Sequence, residues 1–289
     1  MTTSSLLTVA IPTWNRNVQV ETTLKALTPQ LRPSVCVLLV DNCSDKPIEE
    51  SICASLRNHV RIVRNPLNIG APANILRCLE LANSDWIWIL GDDDEPTPNA
   101  IDRVLQEIAD HHDCCLLDFG HPIGRPRSKP IITHTAKDAI NAMYYSNGKP
   151  ELFTWSDGHI SNEILNRSLL NNRIRSGYQY AYTWYPHVAM LFSALSDGLP
   201  CLFTGPQLAL PRLHEEAPNS YMLSDIAKGW TQLAEVITDT EARQRYLAAI
   251  NSSGIYGEKL ILSQSISKKV YQTVVPKCIR STISGLRHS

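Results

Sequence analysis

The sequence Trp86-Ile87-Trp88-Ile89-Leu90-Gly91-Asp92-Asp93-Asp94 decides the fold class of this chain. Its continuous apolar half is typical of a strand that is buried on both faces, as in a sheet covered by helices on both sides. Three consecutive carboxylates follow, and they raise one another's pKa unless a cation or hydrogen bonds offset their charge. We therefore expect a buried strand whose carboxyl end binds a divalent cation, since carboxylate and phosphate oxygens are suitable ligands. The alternative is a solvated acidic turn before the helix predicted from Asn99.

The residues on either side of this strand alternate between strand and helix patterns. Apolar runs predict strands at residues 6–11, 35–40 and 60–64. Apolar residues at helical spacing predict helices at residues 19–27, 48–56, 71–83 and 99–111. Strands that alternate with helices indicate an α/β fold with a mostly parallel central sheet flanked by helices.

Polar side chains follow three of the predicted strands, at the point where each strand ends. The three segments are Thr13-Trp14-Asn15-Arg16, Asp41-Asn42 and Asp92-Asp93-Asp94. Because ligands bind at the carboxyl ends of parallel strands, we expect these segments to form one shared site. Taken alone, Asp41 and Asn42 allow two interpretations: hydrogen bonds to a nucleobase or ribose, or an Asx turn that bonds their own backbone.

The second half of the chain is less regular. It contains one further predicted strand at 114–119, a loop at 121–130 and a strand pattern at 202–210 that Gly205 and Pro206 interrupt. Helices are predicted at residues 135–145, 186–195, 224–237, 240–251 and 256–275. We divide the chain into a domain over residues 1–222, with halves 1–113 and 114–222, and a helical C-terminal extension over 223–289.

Composition excludes several classes of protein. The chain has 289 residues, and 27 Lys and Arg balance 28 Asp and Glu, which argues against a dedicated nucleic-acid binder. Its apolar runs are too short to span a bilayer, and its N-terminus lacks the features of a signal peptide. Eight cysteines without a CxxC pair suit the reduced thiols of a cytosol, so we expect a cytoplasmic protein.

Four ordered segments together carry a resemblance. These are Val9-Ala10-Ile11-Pro12-Thr13-Trp14-Asn15-Arg16, Leu39-Val40-Asp41-Asn42-Cys43-Ser44-Asp45, Arg64-Asn65-Pro66-Leu67-Asn68-Ile69-Gly70 and Trp88-Ile89-Leu90-Gly91-Asp92-Asp93-Asp94. Their order, spacing and strand context resemble glycosyltransferase family 2, which has the GT-A fold, over residues 6 to about 105. The Gly-Asp-Asp-Asp variant is similar to bacterial surface-polysaccharide transferases that include abequosyltransferase-like proteins.

The resemblance implies a function and a donor site. It implies metal-dependent transfer of a sugar from a nucleotide-diphosphate sugar to a saccharide or a lipid-linked saccharide, in cell-surface polysaccharide synthesis. Asp41 would bond the base, Asn74 would lie over it, and Asp92 would reach the ribose or the metal. The full set of donor-binding residues that it implies is Pro12, Thr13, Asn15, Arg16, Asp41, Asn74, Asp92, Asp93 and Arg212.

The resemblance also implies the cation ligands. Asp92 and Asp94 form the Asp-x-Asp signature that holds Mn²⁺ or Mg²⁺ on the donor diphosphate, with Asp94 the favoured direct ligand. The commoner form of the family has Asp where this chain has Gly91. Arg212 and His214 resemble the Arg-x-His loop that closes over the diphosphate, and His214 is a candidate metal ligand. The alternative is a surface loop with incidental basic residues.

The residue that would deprotonate the acceptor is not evident. Inverting members of the family need such a base, usually an acidic residue at the start of a downstream helix. The matching segment, Thr183-Trp184-Tyr185-Pro186-His187, has no acid. His187, whose ordinary pKa suits neutral pH, and Asp157 are the candidates. A helix-start histidine and a turn aspartate are equally valid interpretations, and a retaining route would need no base there.

The last 31 residues, from Lys259 to Ser289, are basic. They contain six Lys and Arg from Lys259 onward and no Asp or Glu, with apolar residues at helical spacing. Such segments favour anionic membrane surfaces, so we expect peripheral contact with the inner face of the membrane or else a packed terminal helix. Two other functions stay open. A sugar nucleotidyltransferase would need a Gly-rich basic loop where this chain has only Arg16, and a degenerate nucleotide-sugar-binding module would lack the base.

Overall fold

The structure, a computed structural model, describes residues 5–120, 129–150, 159–205, 207–212 and 223–252, without the side chains of 223–227. Its strands are β1 (Leu7–Thr13), β2 (Val35–Asp41), β3 (Val60–Arg64), β4 (Trp86–Ile89), β5 (Asp94–Pro96), β6 (Leu116–Asp118), β7 (Ile131–Thr133), β8 (Tyr145–Ser146), β9 (Lys149–Pro150), β10 (Glu163–Asn166), β11 (Cys201–Phe203) and β12 (Ala209–Pro211). Its helices are α1 (Asn17–Leu27), α2 (Ile48–Ser51), α3 (Ala54–Arg57), α4 (Ala71–Leu81), α5 (Ala100–Asp110), α6 (Ala136–Tyr144), α7 (Arg167–Leu170), α8 (Ile174–Gln179), α9 (Pro186–Ser196), α10 (Leu223–Leu233) and α11 (Thr240–Ser252).

An eight-stranded sheet forms the centre of the described chain, in the order β3-β2-β1-β4-β10-β6-β11-β7. The first four strands of this order are parallel, as the alternating sequence pattern predicts. Strand β10 lies antiparallel between β4 and β6, β11 runs parallel to β6, and β7 is antiparallel at the edge. The expected α/β fold with a mostly parallel sheet is therefore confirmed.

The strands bury alternate side chains on opposite faces of this sheet. Leu38 and Val40 join one hydrophobic cluster, whereas Val37 and Leu39 join the other. Because side chains of a strand point to opposite faces in turn, both faces need helices to cover them. Helices α4, α6, α9, α10 and α11 cover the first face, and α1 and α5 cover the second.

The C-terminal helices share the core of the preceding domain. Trp230 of α10 and Tyr246 of α11 are buried in the same cluster as Phe192 of α9, and the Tyr246 ring meets the Phe192 ring edge-on at 5.0 Å. The proposed boundary at residue 222 therefore separates two chain segments that contribute to one hydrophobic core. The predicted helix at 256–275 and the basic tail lie outside the described residues.

Two predicted elements differ from the structure. The single helix expected at 48–56 is two short helices, because Ile52 and Cys53 adopt extended backbone between α2 and α3. The Arg57 guanidinium donates to the carbonyl oxygens of Glu49 and Ile52, which satisfies groups that a continuous helix would have bonded. The interrupted strand at 202–210 is two strands in different sheets, since β12 pairs with β5 instead.

Candidate active site

The parallel strands bring the three polar segments to one edge of the sheet. Thr13 lies opposite Asp41 in the β1–β2 register, and the Leu90 amide donates to the Ala10 carbonyl at 2.9 Å just after β4. Asp92 accepts a hydrogen bond from the Thr13 hydroxyl at 2.6 Å. The ends of β1, β2 and β4 therefore form a single site, as the sequence predicts.

Arg16 neutralises part of the acid triplet. Its Nη1 atom lies 2.9 Å from Asp92 Oδ1 and 2.5 Å from Asp93 Oδ2. Asp92 is only 6% exposed, whereas the side chain of Asp93 is 30% exposed. The Arg16 guanidinium therefore bridges a buried carboxylate and a partly exposed one. It orients both toward the carboxyl end of β4.

The two outer aspartates of the triplet resist ionisation. Burial raises the pKa of Asp92 to about 6, with the neighbouring Asp93 charge adding to the rise and Arg16 opposing it. Burial also raises the pKa of Asp94, which is 5% exposed, and the nearby His159 opposes that shift. Buried carboxylates of this kind gain from an added cation, because the cation stabilises their ionised form.

A small second sheet brings Arg212 to the triplet. Pro211 of β12 lies opposite Asp94 of β5, and the Arg212 amide donates to the Asp93 carbonyl at 3.3 Å. The Arg212 guanidinium donates to Thr23 Oγ1 at 3.0 Å, and Thr23 in turn lies 2.9 Å from the Asp92 carbonyl oxygen. The structure therefore places Arg212 beside the acids, more than a hundred residues away along the chain.

Ser161 and His159 belong to the site, although sequence reasoning missed them. Ser161 Oγ donates to Asp94 Oδ2, and His159 Nε2 lies 3.4 Å from the same oxygen. Both precede β10, whose four residues carry too short a pattern to predict the strand. A Cβ atom at Gly91 would lie 2.6 Å from Asp94 Oδ2, so this packing accounts for the absence of the family's commoner Asp at that position.

The residues predicted to read the nucleobase are enclosed in the structure. Asp41 is 1% exposed, and it accepts hydrogen bonds from the Ser44 amide at 2.9 Å and from Arg64 Nη1 at 2.5 Å. Asn74 Nδ2 donates to the Val40 carbonyl at 3.1 Å, and Asn74 Oδ1 accepts from Asn65 at 2.8 Å. Both side chains thus support the strand ends and the turn after β3, and their contact with a base stays a prediction.

Asn15 organises the turn after β1. It adopts a positive φ of 56°, a conformation that asparagine tolerates better than most residues. Its side chain exchanges two hydrogen bonds with Asp45, to the carboxylate at 3.0 Å and from the backbone amide at 2.7 Å. This contact ties the turn that carries Arg16 to the turn after β2, and Pro12 lies within β1 just before it.

The donor set of this edge fits a hard divalent cation. Asp92 and Asp94 offer carboxylate oxygens, which suit Mg²⁺ and Mn²⁺, and such ions commonly take their remaining ligands from water and substrate phosphates. Within the described ranges, no three His, Cys, Asp or Glu side chains gather around one point. A cation here would therefore be held by few protein ligands together with a bound diphosphate.

Comparison with known families identifies the chain. The model of glycosyl transferase family 2 matches residues 8–174, which is more than half of the 289 residues. The chain belongs to glycosyl transferase family 2. Membership of this family favours the expected glycosyl transfer over the sugar nucleotidyltransferase alternative.

Curated relatives of this family 2 glycosyltransferase match part of the chain. The abequosyltransferase RfbV of Salmonella typhimurium is 31% identical over 110 residues, 36% of this chain and 33% of that protein. The putative colanic acid biosynthesis glycosyl transferase WcaA of Escherichia coli is 25% identical over 166 residues, 54% of this chain and 59% of that protein. The chain therefore spans less than two thirds of the length of these relatives.

Solved structures match nearly the whole chain. Residues 1–349 of Staphylococcus aureus TarS, solved with UDP-GlcNAc, superpose with a TM-score of 0.65 at 14% identity, covering 95% of this chain and 83% of that one. The mannosyltransferase PcManGT from Pyrobaculum calidifontis, solved with GDP-Man and Mn²⁺, gives a TM-score of 0.60 at 14% identity, with 98% and 80% covered. At this identity the likeness shows the fold, which is GT-A.

The predicted base candidates of this glycosyltransferase have different outcomes. His187 lies in the first turn of α9 and is 2% exposed. Its Nε2 atom is 3.9 Å from Glu163 Oε2, and the Tyr185 ring is 6.0 Å from its own ring. Glu163, a buried carboxylate at the start of β10, was not expected from the sequence. Asp157 and the metal candidate His214 lie outside the described residues.

Proposed function

We propose that this glycosyltransferase transfers a sugar from a nucleoside-diphosphate sugar, with Mn²⁺ or Mg²⁺, to a saccharide or lipid-linked saccharide of the bacterial cell surface. The observation that carries the proposal is the pair of buried aspartates, Asp92 in the turn after β4 and Asp94 at the start of β5. RfbV and WcaA, by their names, support a role in polysaccharide synthesis. TarS and PcManGT were solved with UDP-GlcNAc and GDP-Man, which supports a nucleoside-diphosphate donor.

The chemistry explains why acids and arginines would share this edge. Transfer breaks the anomeric carbon–oxygen bond, and the departing diphosphate gains negative charge. A divalent cation, when bound by Asp94 and Asp92, supplies Lewis-acid stabilisation of that charge. Arg16 holds the Asp92 and Asp93 carboxylates in place, and Arg212 adds positive charge from β12. These residues together would orient the diphosphate with its leaving oxygen at the sheet edge.

His187 is our candidate for the base that accepts the proton of the acceptor hydroxyl. The Glu163 carboxylate lies 3.9 Å from His187 Nε2, as a carboxylate partner lies beside the histidine of catalytic triads. Asp157 is the alternative base, and a retaining reaction is the alternative route. Two measurements distinguish these cases. One is the single-turnover rate of sugar transfer by His187→Ala, and the other is the anomeric configuration of the product. Unchanged transfer in that variant would remove His187 from the mechanism.

Replacing Asp94 tests the proposed function directly. We expect Asp94→Ala to weaken Mn²⁺-dependent binding of UDP or GDP by at least about 100-fold. Loss of a residue that only supports a metal ligand weakens metal binding by up to about 100-fold, and Asp94 is proposed as a ligand itself. Calorimetric titration of each nucleotide with and without Mn²⁺ measures this, and release of free diphosphonucleoside from a donor separates an enzyme from a mere binder. Asp102→Ala is the matched control, because Asp102 pairs with Arg32 on the surface. Equal nucleotide affinity in wild type and Asp94→Ala would contradict the proposal.

A further inference from the structure

We propose that Ser161 positions Asp94 by holding its Oδ2 oxygen, so that Oδ1 is the oxygen presented to the cation. The inference rests on the proposed function and adds a residue to it that neither the Asp-x-Asp pattern nor the strand pattern indicates. Ser161 is 0% exposed and lies in the turn at Ile160–Asn162, just before β10. It would act through Asp94 and would not touch the substrate itself.

The direction of the Ser161 hydrogen bond follows from its other partner. The Gly91 amide donates to Ser161 Oγ at 2.8 Å, so this oxygen already acts as an acceptor. A hydroxyl has one hydrogen to donate, and the carboxylate of Asp94 is its acceptor through Oδ2. The chain Gly91 amide, Ser161 hydroxyl, Asp94 carboxylate is thus polarised in one direction, which fixes the orientation of the Asp94 carboxylate.

The backbone around Ser161 is held from two sides. The Trp88 indole donates to the Ser161 carbonyl at 2.8 Å, and Ile164 lies opposite Trp88 in the β10–β4 register. Next to it, Asn162 Oδ1 accepts from the Leu208 amide at 2.7 Å and the Ala209 amide at 3.1 Å. Ser161 is therefore fixed to the main sheet and to β12, which Arg212 follows, and has little freedom to move away from Asp94.

His159 approaches the same oxygen from the other side. Because the side-chain oxygen of Asn162, Oδ1, accepts two backbone amides, its Nδ2 is the atom that faces His159 Nδ1, at 3.4 Å. When Nδ1 accepts from Asn162 Nδ2, the hydrogen of the imidazole lies on Nε2. Nε2 lies 3.4 Å from Asp94 Oδ2. Two groups with a hydrogen to offer thus converge on Oδ2.

Gly91 leaves the space that this arrangement needs. A Cβ atom at position 91 would lie 2.6 Å from Asp94 Oδ2 and 3.2 Å from Ser161 Oγ. Any larger residue at that position would push the carboxylate away from Ser161. The glycine and the serine therefore form one local device for orienting Asp94, contributed by chain segments that are seventy residues apart.

The test is a titration of the full chain with Mn²⁺ in the presence of UDP or of GDP. Electron paramagnetic resonance measures the fraction of Mn²⁺ that is bound. We expect Ser161→Ala to weaken Mn²⁺ binding roughly 10- to 100-fold, as loss of an outer-shell partner does, while nucleotide binding without metal stays unchanged. Ser84→Ala is the matched control. Ser84 is also a buried serine, its hydroxyl is bonded to Thr8 at 2.8 Å, and it precedes β4 at the opposite edge of the sheet.

The outcomes separate this inference from the proposed function. If wild type binds no Mn²⁺ with either nucleotide, the metal-dependent function itself is wrong. If wild type binds Mn²⁺ and Ser161→Ala binds it equally well, the positioning role of Ser161 is overturned. Should Ser161→Ala fail to fold, Gly91→Ala provides the second test, because its Cβ atom would lie 2.6 Å from Asp94 Oδ2 and would push the carboxylate away from Ser161. We expect a loss of Mn²⁺ affinity in that variant as well, and no loss would overturn the inference.

Discussion

The Asp92 carboxyl combines two opposing requirements within one residue. It must lie close to the end of β4 to share a site with Thr13 and Arg16, and that position is buried. Burial disfavours the charge that a cation ligand needs, and the guanidinium of Arg16 offsets only part of that cost. The ionised form of Asp92 is therefore destabilised in the folded chain, and a bound cation would offset that cost.

The pH dependence of stability should reveal this state. The Asp92 carboxyl has a pKa of 3.8 when it is exposed to water, as in the unfolded chain, and a pKa of about 6 in the folded chain. Between these pH values the folded state keeps a proton that the unfolded state has released, so raising the pH lowers the free energy of unfolding. The loss reaches about 3 kcal/mol, since one pKa unit corresponds to about 1.4 kcal/mol. Above pH 6 the loss is complete, and below pH 4 it is absent.

Asp92→Asn isolates this contribution from those of other titrating groups. We expect the stability difference between wild type and this variant to shift in favour of the variant as the pH rises from 4 to 6. Chemical denaturation of both proteins in metal-free buffer at pH steps across this range measures the shift. Parallel pH profiles for the two proteins would show that burial does not raise the pKa of Asp92.

At the scale of elements, α10 packs closely against the turn at Ala181–Thr183. This turn precedes α9, the helix that carries His187. A Cβ atom at Gly229 of α10 would lie 2.2 Å from the Thr183 carbonyl oxygen. Trp184, which follows this turn, has a positive φ of 71°, and α9 with His187 begins two residues later. The position of the His187 helix start therefore depends on a helix far along the chain.

Gly229→Ala should be clearly destabilising, and Gly177→Ala provides a matched comparison. Alanine improves helix propensity by about 1 kcal/mol in both helices. At Gly177 the nearest atom is the Leu76 Cδ2 methyl at 2.6 Å, which can move, whereas at Gly229 it is a backbone oxygen. We expect Gly229→Ala to lose about 2 kcal/mol or more and Gly177→Ala to change by about 1 kcal/mol or less. Urea denaturation measures both, and equal losses would contradict this view of the contact.

At the scale of the whole molecule, strand order determines which residues meet. Strand β10 enters the sheet between β4 and β6 and runs against both of them. This places Ser161 beside Gly91 and Glu163 near His187, and it divides the parallel strands of the donor half from the second half. Among the described residues, no helix combines the length and apolar character needed to cross a bilayer.

Contact with a membrane surface is a prediction for the basic C-terminal segment. We expect the full chain to co-sediment with vesicles containing anionic lipid, and a chain ending at residue 255 to stay in the supernatant, because the segment from Lys259 carries six basic and no acidic residues. Neutral vesicles are the control for non-specific adsorption. Equal pelleting of the two chains on anionic vesicles would remove the hypothesis.

Sequence patterns predicted the first half of the fold well. Strands β1 to β4 and helices α1, α4 and α5 lie within about two residues of their predicted bounds, because long apolar runs and helical spacing are local signals. The second half followed less closely. Strand β10 has only four residues with polar ends, so local periodicity was too weak to predict it. In the first half the exception is the pair α2 and α3, which replaces one predicted helix.

The sequence alone determined the α/β class, the family resemblance and the edge of the sheet where Thr13, Arg16 and the acid triplet lie. Each of these depends on short segments whose residues are neighbours along the chain. Only the tertiary structure decided that Ser161 and His159 meet Asp94, that Asp41 and Asn74 are enclosed, and that α10 and α11 complete the core. These contacts join residues tens of positions apart, and their existence depends on strand order and packing, which no local pattern specifies.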